Sequence, residues 1–149
     1  MAQQRDVAGK PRVRRQAVAV GELRLRPSTR RAIRRGSVEK GDPIATGELA
    51  GLLAMKRTPE LIPHCHAVAL THSGVVLRVS ARGVRVRAQA STVDRTGVEM
   101  EALVGASVAL LTVWDMVKYL EKDARGLYPA TSLGPVRVQA KHKGGTEEG

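Results

Sequence analysis

The chain has 149 residues, 42% of them hydrophobic, and a formal net charge of +11 with an isoelectric point near 10.8. That length suits one domain with a real core, made aliphatic by the lack of Phe and the presence of one Trp and two Tyr. The lone Cys65 excludes an intramolecular disulfide framework, the polar N-terminus has no signal-peptide pattern, and the charge implies a polyanionic partner such as nucleic acid or a phosphate-rich small molecule.

Residues 1–11, polar and carrying Gly9 and Pro11, read as a flexible N-terminal arm. From Arg12 to Arg26, Val13, Ala17, Val18, Val20, Leu23 and Leu25 set against Arg and Glu predict a strand. Pro27-Ser28 opens a short basic helix to about Arg35, ended by Gly36. Asp42 as N-cap and Pro43 at the first helical position start a helix that runs to about Arg57. Lys40 lies just before it, beside the positive end of the helix dipole, where a cation is unfavourable. That misfit makes Lys40 a candidate for binding an anion.

Pro59 and Pro63 then frame a short turn that leads into His64-Cys65-His66. Three readings stay open for this loop. It is a metal site, although such close spacing seldom supplies a tetrahedral set and no second Cys/His cluster exists. It is a packed turn with a satisfied histidine. Or it contacts substrate, with His66 exchanging a proton with an anionic ligand. Val68–Ala81 and Val84–Val93 follow as alternating strands of a hairpin around Arg82-Gly83.

The run from Thr96 to Lys118 is the most informative. Glu99 and Glu101 open it, and no charge occurs from Ala102 to Trp114 before Asp115 and Lys118. It predicts a helix, buried on most sides and too short to cross a bilayer, that continues to about Glu121. Thr96 and Glu99 have capping-box spacing. Asp115 and Lys118 share a face; a surface ion pair and a working pair both fit. Glu101 and Asp115 are about 21 Å apart at the helical rise, so one small substrate cannot touch both on one straight helix. Either the helix bends near Gly105 or two copies of the chain build the site. Residues 122–133 read as a loop, Pro135–Ala140 as a last strand and 142–149 as a flexible tail, leaving 12–141 as a single catalytic domain. Without the short first helix the order is βαββαβ, an α+β ferredoxin-like fold: an antiparallel sheet with helices on one face.

The segments K-G-D-P-I-A-T-G-E-L-A-G-L-L-A-M-K-R-T-P-E-L-I-P-H-C-H, T-G-V-E-M-E-A-L and W-D-M-V-K, in this order, closely resemble the cyclic pyranopterin monophosphate synthase (MoaC) family of molybdenum-cofactor biosynthesis, over about residues 6 to 141. The resemblance implies a lyase that converts 3′,8-cyclo-7,8-dihydroguanosine 5′-triphosphate to cyclic pyranopterin monophosphate and diphosphate. It implies no metal and no organic cofactor. It also implies a cytoplasmic homohexamer, a trimer of dimers with sites at subunit interfaces, and no nucleic-acid or membrane partner. By the same resemblance Asp115, Lys118, Lys40 and His66 are catalytic. His64, Cys65, His66, Glu99, Met100, Glu101, Arg15 and Lys141 contact substrate. The chain departs from the family where L-C-H-P becomes His64-Cys65-His66-Ala67, in a longer 122–133 loop, and in a tail of Lys141-His142-Lys143-Gly144-Gly145-Thr146. A nucleic-acid-binding module of this fold would want aromatic residues on its strands, and the hairpin has none. A catalytically inactive, nucleotide-binding relative is the third reading, and the joint presence of Asp115, Lys118, Lys40 and His66 argues against it.

Overall fold

The computed structural model describes residues 1–144. Its elements are β1 (Val13–Arg24), α1 (Pro27–Arg35), α2 (Pro43–Lys56), α3 (Thr58–Leu61), β2 (Leu70–Val79), β3 (Gly83–Asp94), α4 (Glu99–Glu121), β4 (Ser132–Leu133) and β5 (Arg137–Lys143). The sheet runs β2-β3-β1, all antiparallel. The far edge of β1 is shared by β4, opposite Leu23 and Arg24, and by β5, opposite Arg15 to Val20. This is the ferredoxin-like arrangement the sequence predicts, with helices on one face.

Alternation decides which face. Ala17, Ala19 and Leu23 of β1 and Val84, Val86, Ala88 and Ala90 of β3 are buried, and they meet Ala102, Ala106, Ala109, Leu110, Val113 and Val117 of α4. Helix α4 is thus the core helix. Its 23 residues make it long and apolar enough, by length and composition, to cross a membrane, against the expectation that the run is too short. Its burial against the sheet accounts for that composition: an interior helix is apolar on most sides for the same reason a lipid-facing one is.

Helix α2 reaches α4 because both are glycine-bearing where they cross. A Cβ on Gly51 would lie 2.7 Å from the Gly105 carbonyl oxygen and 3.1 Å from the Ala109 Cβ. At the far end of α4, Glu121 is fully buried. It accepts from the Arg26 N–H (3.2 Å), from the Thr131 hydroxyl (2.7 Å) and from the Thr29 hydroxyl, so both carboxyl oxygens are hydrogen-bonded and neither is ion-paired.

Some boundaries differ from expectation. The helix starts at Glu99, not Thr96, and has no side-chain cap. The capping box does not form because the Glu99 carboxylate pairs with Lys141 at 2.7 Å. The last strand runs to Lys143, since Lys141–Lys143 pair with Ala17–Arg15. The loop 122–133 ends in the short β4. Residues 145–149 of the expected tail lie outside the described residues.

Gly51→Ala forces a methyl against a backbone oxygen, an overpacking that costs about 1–3 kcal/mol. We expect a lower Tm in thermal unfolding despite the better helix propensity of Ala. Gly9→Ala, with nothing within 4 Å of its Cβ, leaves Tm unchanged.

Candidate active site

The residues singled out in the sequence gather at the two ends of α4. At its C-terminal end, the Lys118 Nζ lies 2.8 Å from Asp115 Oδ1, and the Lys40 Nζ lies 3.8 Å from Oδ2. Lys40 also donates to the Asp115 carbonyl at 3.0 Å, so it sits near the negative end of one helix dipole as well as the positive end of the next. The turn carrying Lys40 is fixed to α4: the Glu39 N–H donates to the Tyr119 hydroxyl (2.8 Å), and Gly41 turns the chain into α2 at φ +115°, a conformation that disfavours any side chain. Asp42 then caps α2 as predicted, accepting from the Ile44 and Ala45 N–H groups through one oxygen.

The three charges are open to solvent: side-chain exposure is 61% for Asp115, 43% for Lys118 and 45% for Lys40. The hydrogen bond from Lys118, then its charge and that of Lys40, hold the Asp115 carboxyl below its usual range. The same hydrogen bond and the Asp115 charge, with the Tyr128 phenol further off, hold the Lys118 ammonium above its own. Tyr128, which packs edge-on against Trp114 with ring centroids 5.6 Å apart, is a neighbour that sequence reasoning missed; it lies in a loop whose path no local pattern fixes.

The second cluster surrounds the N-terminus of α4. Glu101 is 2% exposed, its Oε1 accepts weakly from the Cys65 Sγ–H at 3.7 Å, and its Oε2 is buried with no partner. Burial pushes the Glu101 carboxyl up, and nearby Glu99 adds to the rise, against its own backbone N–H and the Cys65 thiol, which favour the anion. Burial and then the Glu101 carboxylate push the Cys65 thiol up to about 11. Glu99 behaves oppositely: burial raises it, but the Lys141 ion pair, its own backbone N–H and the Arg15 charge outweigh that and leave it lowered. Arg15 donates to the Arg95 carbonyl at 3.2 Å and keeps a buried Nε without a partner. Lys143 stands opposite Arg15 in the β1–β5 register, which adds a cation on the face that holds Lys141. His66 meets the N-terminal arm, Met100 is 40% exposed, and His64 is exposed.

Helix α4 is one uninterrupted helix between the clusters, with no break at Gly105; the glycine admits Met55 and α2. Among the described residues no three His, Cys, Asp or Glu side chains converge in a way that could hold a metal ion. A groove of about 840 Å³ lies on the opposite face of the sheet, lined by Arg78, Arg85, Arg87, Arg137 and Glu22, and none of the residues above borders it.

The raised Cys65 pKa gives a direct check. The thiolate is the reactive form, so iodoacetamide at pH 8 should alkylate Cys65 on the order of 100-fold more slowly than a free cysteine. The rate should climb about tenfold per pH unit toward pH 11. Mass spectrometry of the Cys65 peptide reads it; a rate like that of free cysteine contradicts the assigned environment.

Comparison with known proteins gives the family. The model of the MoaC family matches residues 4–144. Proteins named probable cyclic pyranopterin monophosphate synthase are similar throughout. The one from Archaeoglobus fulgidus is 51% identical over 142 residues, covering 95% of this chain and 91% of that protein. The one from Aeropyrum pernix is 50% identical, with 93% and 95% covered. The one from Pyrococcus abyssi is 47% identical, with 93% and 87% covered. A match over residues 4–144 spans every helix and strand, so it is a match to the whole fold and not to one motif, and the chain belongs to the MoaC family.

Proposed function

We propose that this chain is a cyclic pyranopterin monophosphate synthase, a lyase acting on 3′,8-cyclo-7,8-dihydroguanosine 5′-triphosphate. The observation that carries the reading is the Asp115–Lys118–Lys40 cluster, an anion between two cations held at 2.8 and 3.8 Å, in a chain about half identical to proteins of that name. The substrate is a triphosphate. Closing the cyclic phosphate breaks the bond between the α-phosphorus and the diphosphate, and negative charge grows on the departing oxygen. Lys118, Lys40, Lys141 and Arg15 stabilise that charge most where it is greatest, in the transition state. Rebuilding the purine as a pterin requires proton transfers. Asp115, held as an anion, serves as acceptor, and Lys118, held as an ammonium, as donor. Glu101, His66 and Cys65 supply the other proton carriers, with Glu99, Met100 and His64 at the rim. No metal or organic cofactor enters this scheme.

The two clusters serve one site if a second copy contributes one of them. Between them the outer face of the helical layer exposes Leu111 (49%), Met100 (40%), Leu49 (58%) and Leu53 (46%), an apolar patch that water disfavours. A second copy laid antiparallel across α4 about a twofold axis covers this patch. It brings the Glu101 end of each helix to the Asp115 end of the other, and so forms two identical composite sites. Three such dimers make the homohexamer that the family resemblance implies. A nucleotide-derived substrate supports a cytoplasmic enzyme.

Diphosphate release from the cyclised dihydro-GTP, read beside the fluorescent oxidation product of the pterin, tests the activity. Both products should appear in equal amounts. Asp115→Asn and Lys118→Ala should each abolish turnover with Tm unchanged, and wild-type rates in either variant contradict the assigned roles. Composite sites make a further demand. Asp115→Asn and Glu101→Gln, each inactive alone, should recover about a quarter of wild-type activity when co-expressed, because half of randomly formed dimers are mixed and each mixed dimer keeps one intact site of two. No recovery from assembled mixed dimers places both clusters in one chain's site.

A further inference from the structure

The N-terminal arm ends on the histidine loop. Gln4 Nε2 donates to the Cys65 carbonyl at 3.1 Å, and the Arg5 carbonyl lies 2.6 Å from His66 Nε2. A backbone carbonyl has no proton to give, so the ring nitrogen that meets it carries one. The arm is itself held in shape. The Ala8 N–H donates to Asp6 Oδ1 (2.9 Å), the Lys10 N–H donates to the Val7 carbonyl (3.0 Å), and Arg95 Nε donates to the Lys10 carbonyl (3.2 Å). A two-residue reach, Gln4 to one peptide and Arg5 to the next side chain, fixes the loop backbone and the imidazole together.

We propose that the N-terminal arm is a positioning element for His66: the Arg5 carbonyl holds the neutral imidazole as its Nε2–H tautomer and sets its ring orientation, which leaves Nδ1 as the ring's only acceptor. Which ring nitrogen a histidine offers is set by the bond the other one makes. With Nε2 committed to the arm, a proton taken from substrate arrives at Nδ1, and the resulting imidazolium keeps its Nε2–H bond to the same carbonyl. The arm thus serves the ring in both charge states without moving. The Gln4 side chain anchors the arm on the Cys65 carbonyl, and the atom that works on the ring is the Arg5 peptide oxygen, placed by the Asp6 turn behind it.

The inference rests on the proposed reaction only for the use of Nδ1, and the test separates the two. In full-length protein labelled with ¹⁵N-histidine, one Nε2–H proton should be protected from solvent exchange and should vanish in His66→Gln, which assigns it. Gln4→Ala/Asp6→Ala, and separately a chain lacking residues 2–6, should lose that protection at unchanged Tm. In both, kcat for diphosphate release should fall on the order of tenfold with KM within about twofold, the signature of a misplaced reacting group and not of lost binding. A proton on Nδ1, an Nε2–H signal that survives loosening of the arm, or a rise in KM at constant kcat overturns the proposal. If wild-type protein releases no diphosphate, the functional reading fails, while the labelled histidine still decides the tautomer.

Discussion

The close approach of α2 and α4 at Gly51 and Gly105 sets the position of one whole end of the molecule. With a peptide oxygen where a side chain would otherwise stand, α2 seats directly on the core helix. Its N-terminus therefore comes down beside the last turns of α4. That seating brings the Val38–Gly41 turn, and Lys40 with it, to Asp115. The Tyr119 hydroxyl and the buried Val38 then lock the turn in place. A bulkier contact would move α2 outward and carry Lys40 away from its partner. The packing of two small residues is thus linked to the electrostatics of a cluster at the end of the helix.

The two ends of α4 then receive opposite treatment from solvent. At the C-terminal end all three charges face water, and an isolated pair of this kind contributes little to stability. Asp115 stands against the negative end of the helix dipole, an unfavourable position that Lys118 and Lys40 offset. What the cluster does present is an anion and a cation side by side at 2.8 Å. At the N-terminal end the groups are buried, and burial divides them. Glu99 is held toward the anion because Lys141 reaches it, whereas Glu101, two residues on, meets no cation, only its own backbone N–H and a thiol. One helix turn therefore holds one carboxyl favoured as the anion and one pushed toward the acid, set apart by which of them a lysine can reach.

Much of this is legible in the sequence, and the gaps have physical causes. Alternation in β1 and β3, the Asp42-Pro43 start of α2 and the buried run of α4 are local signals, and the elements form where those signals lie. The spacing of Asp115 and Lys118 alone puts them on one face of a helix. The start of α4 is misleading because Thr96 and Glu99 carry the right letters, but Lys141, distant in sequence, competes for the same carboxylate. The end of β5 is hidden because Lys141-His142-Lys143 looks like tail; only its pairing with β1 makes it strand. The bond from His66 to Arg5 is to a peptide oxygen, which every residue has, so no pattern of residue types announces it.

The length of α4 is also the reason the proposed chemistry calls for a second copy of the chain. The proposed reaction needs acids, bases and phosphate-binding cations in contact with one small molecule. This chain has all of them, but on a rod whose ends stand about 21 Å apart at the helical rise. The fold has no means of shortening that rod: its buried face is filled by Ala106, Ala109, Leu110 and Val113, and a kink there would open cavities in the core. In the proposed dimer the distance is closed from outside, by another copy whose own rod runs the other way. The exposed Leu111 and Met100 would then form the centre of the contact. Stability of the dimer and completion of the site would then be one event. A chain that folded alone would present two half-sites and turn over nothing, so substrate chemistry would begin only once the apolar face was covered.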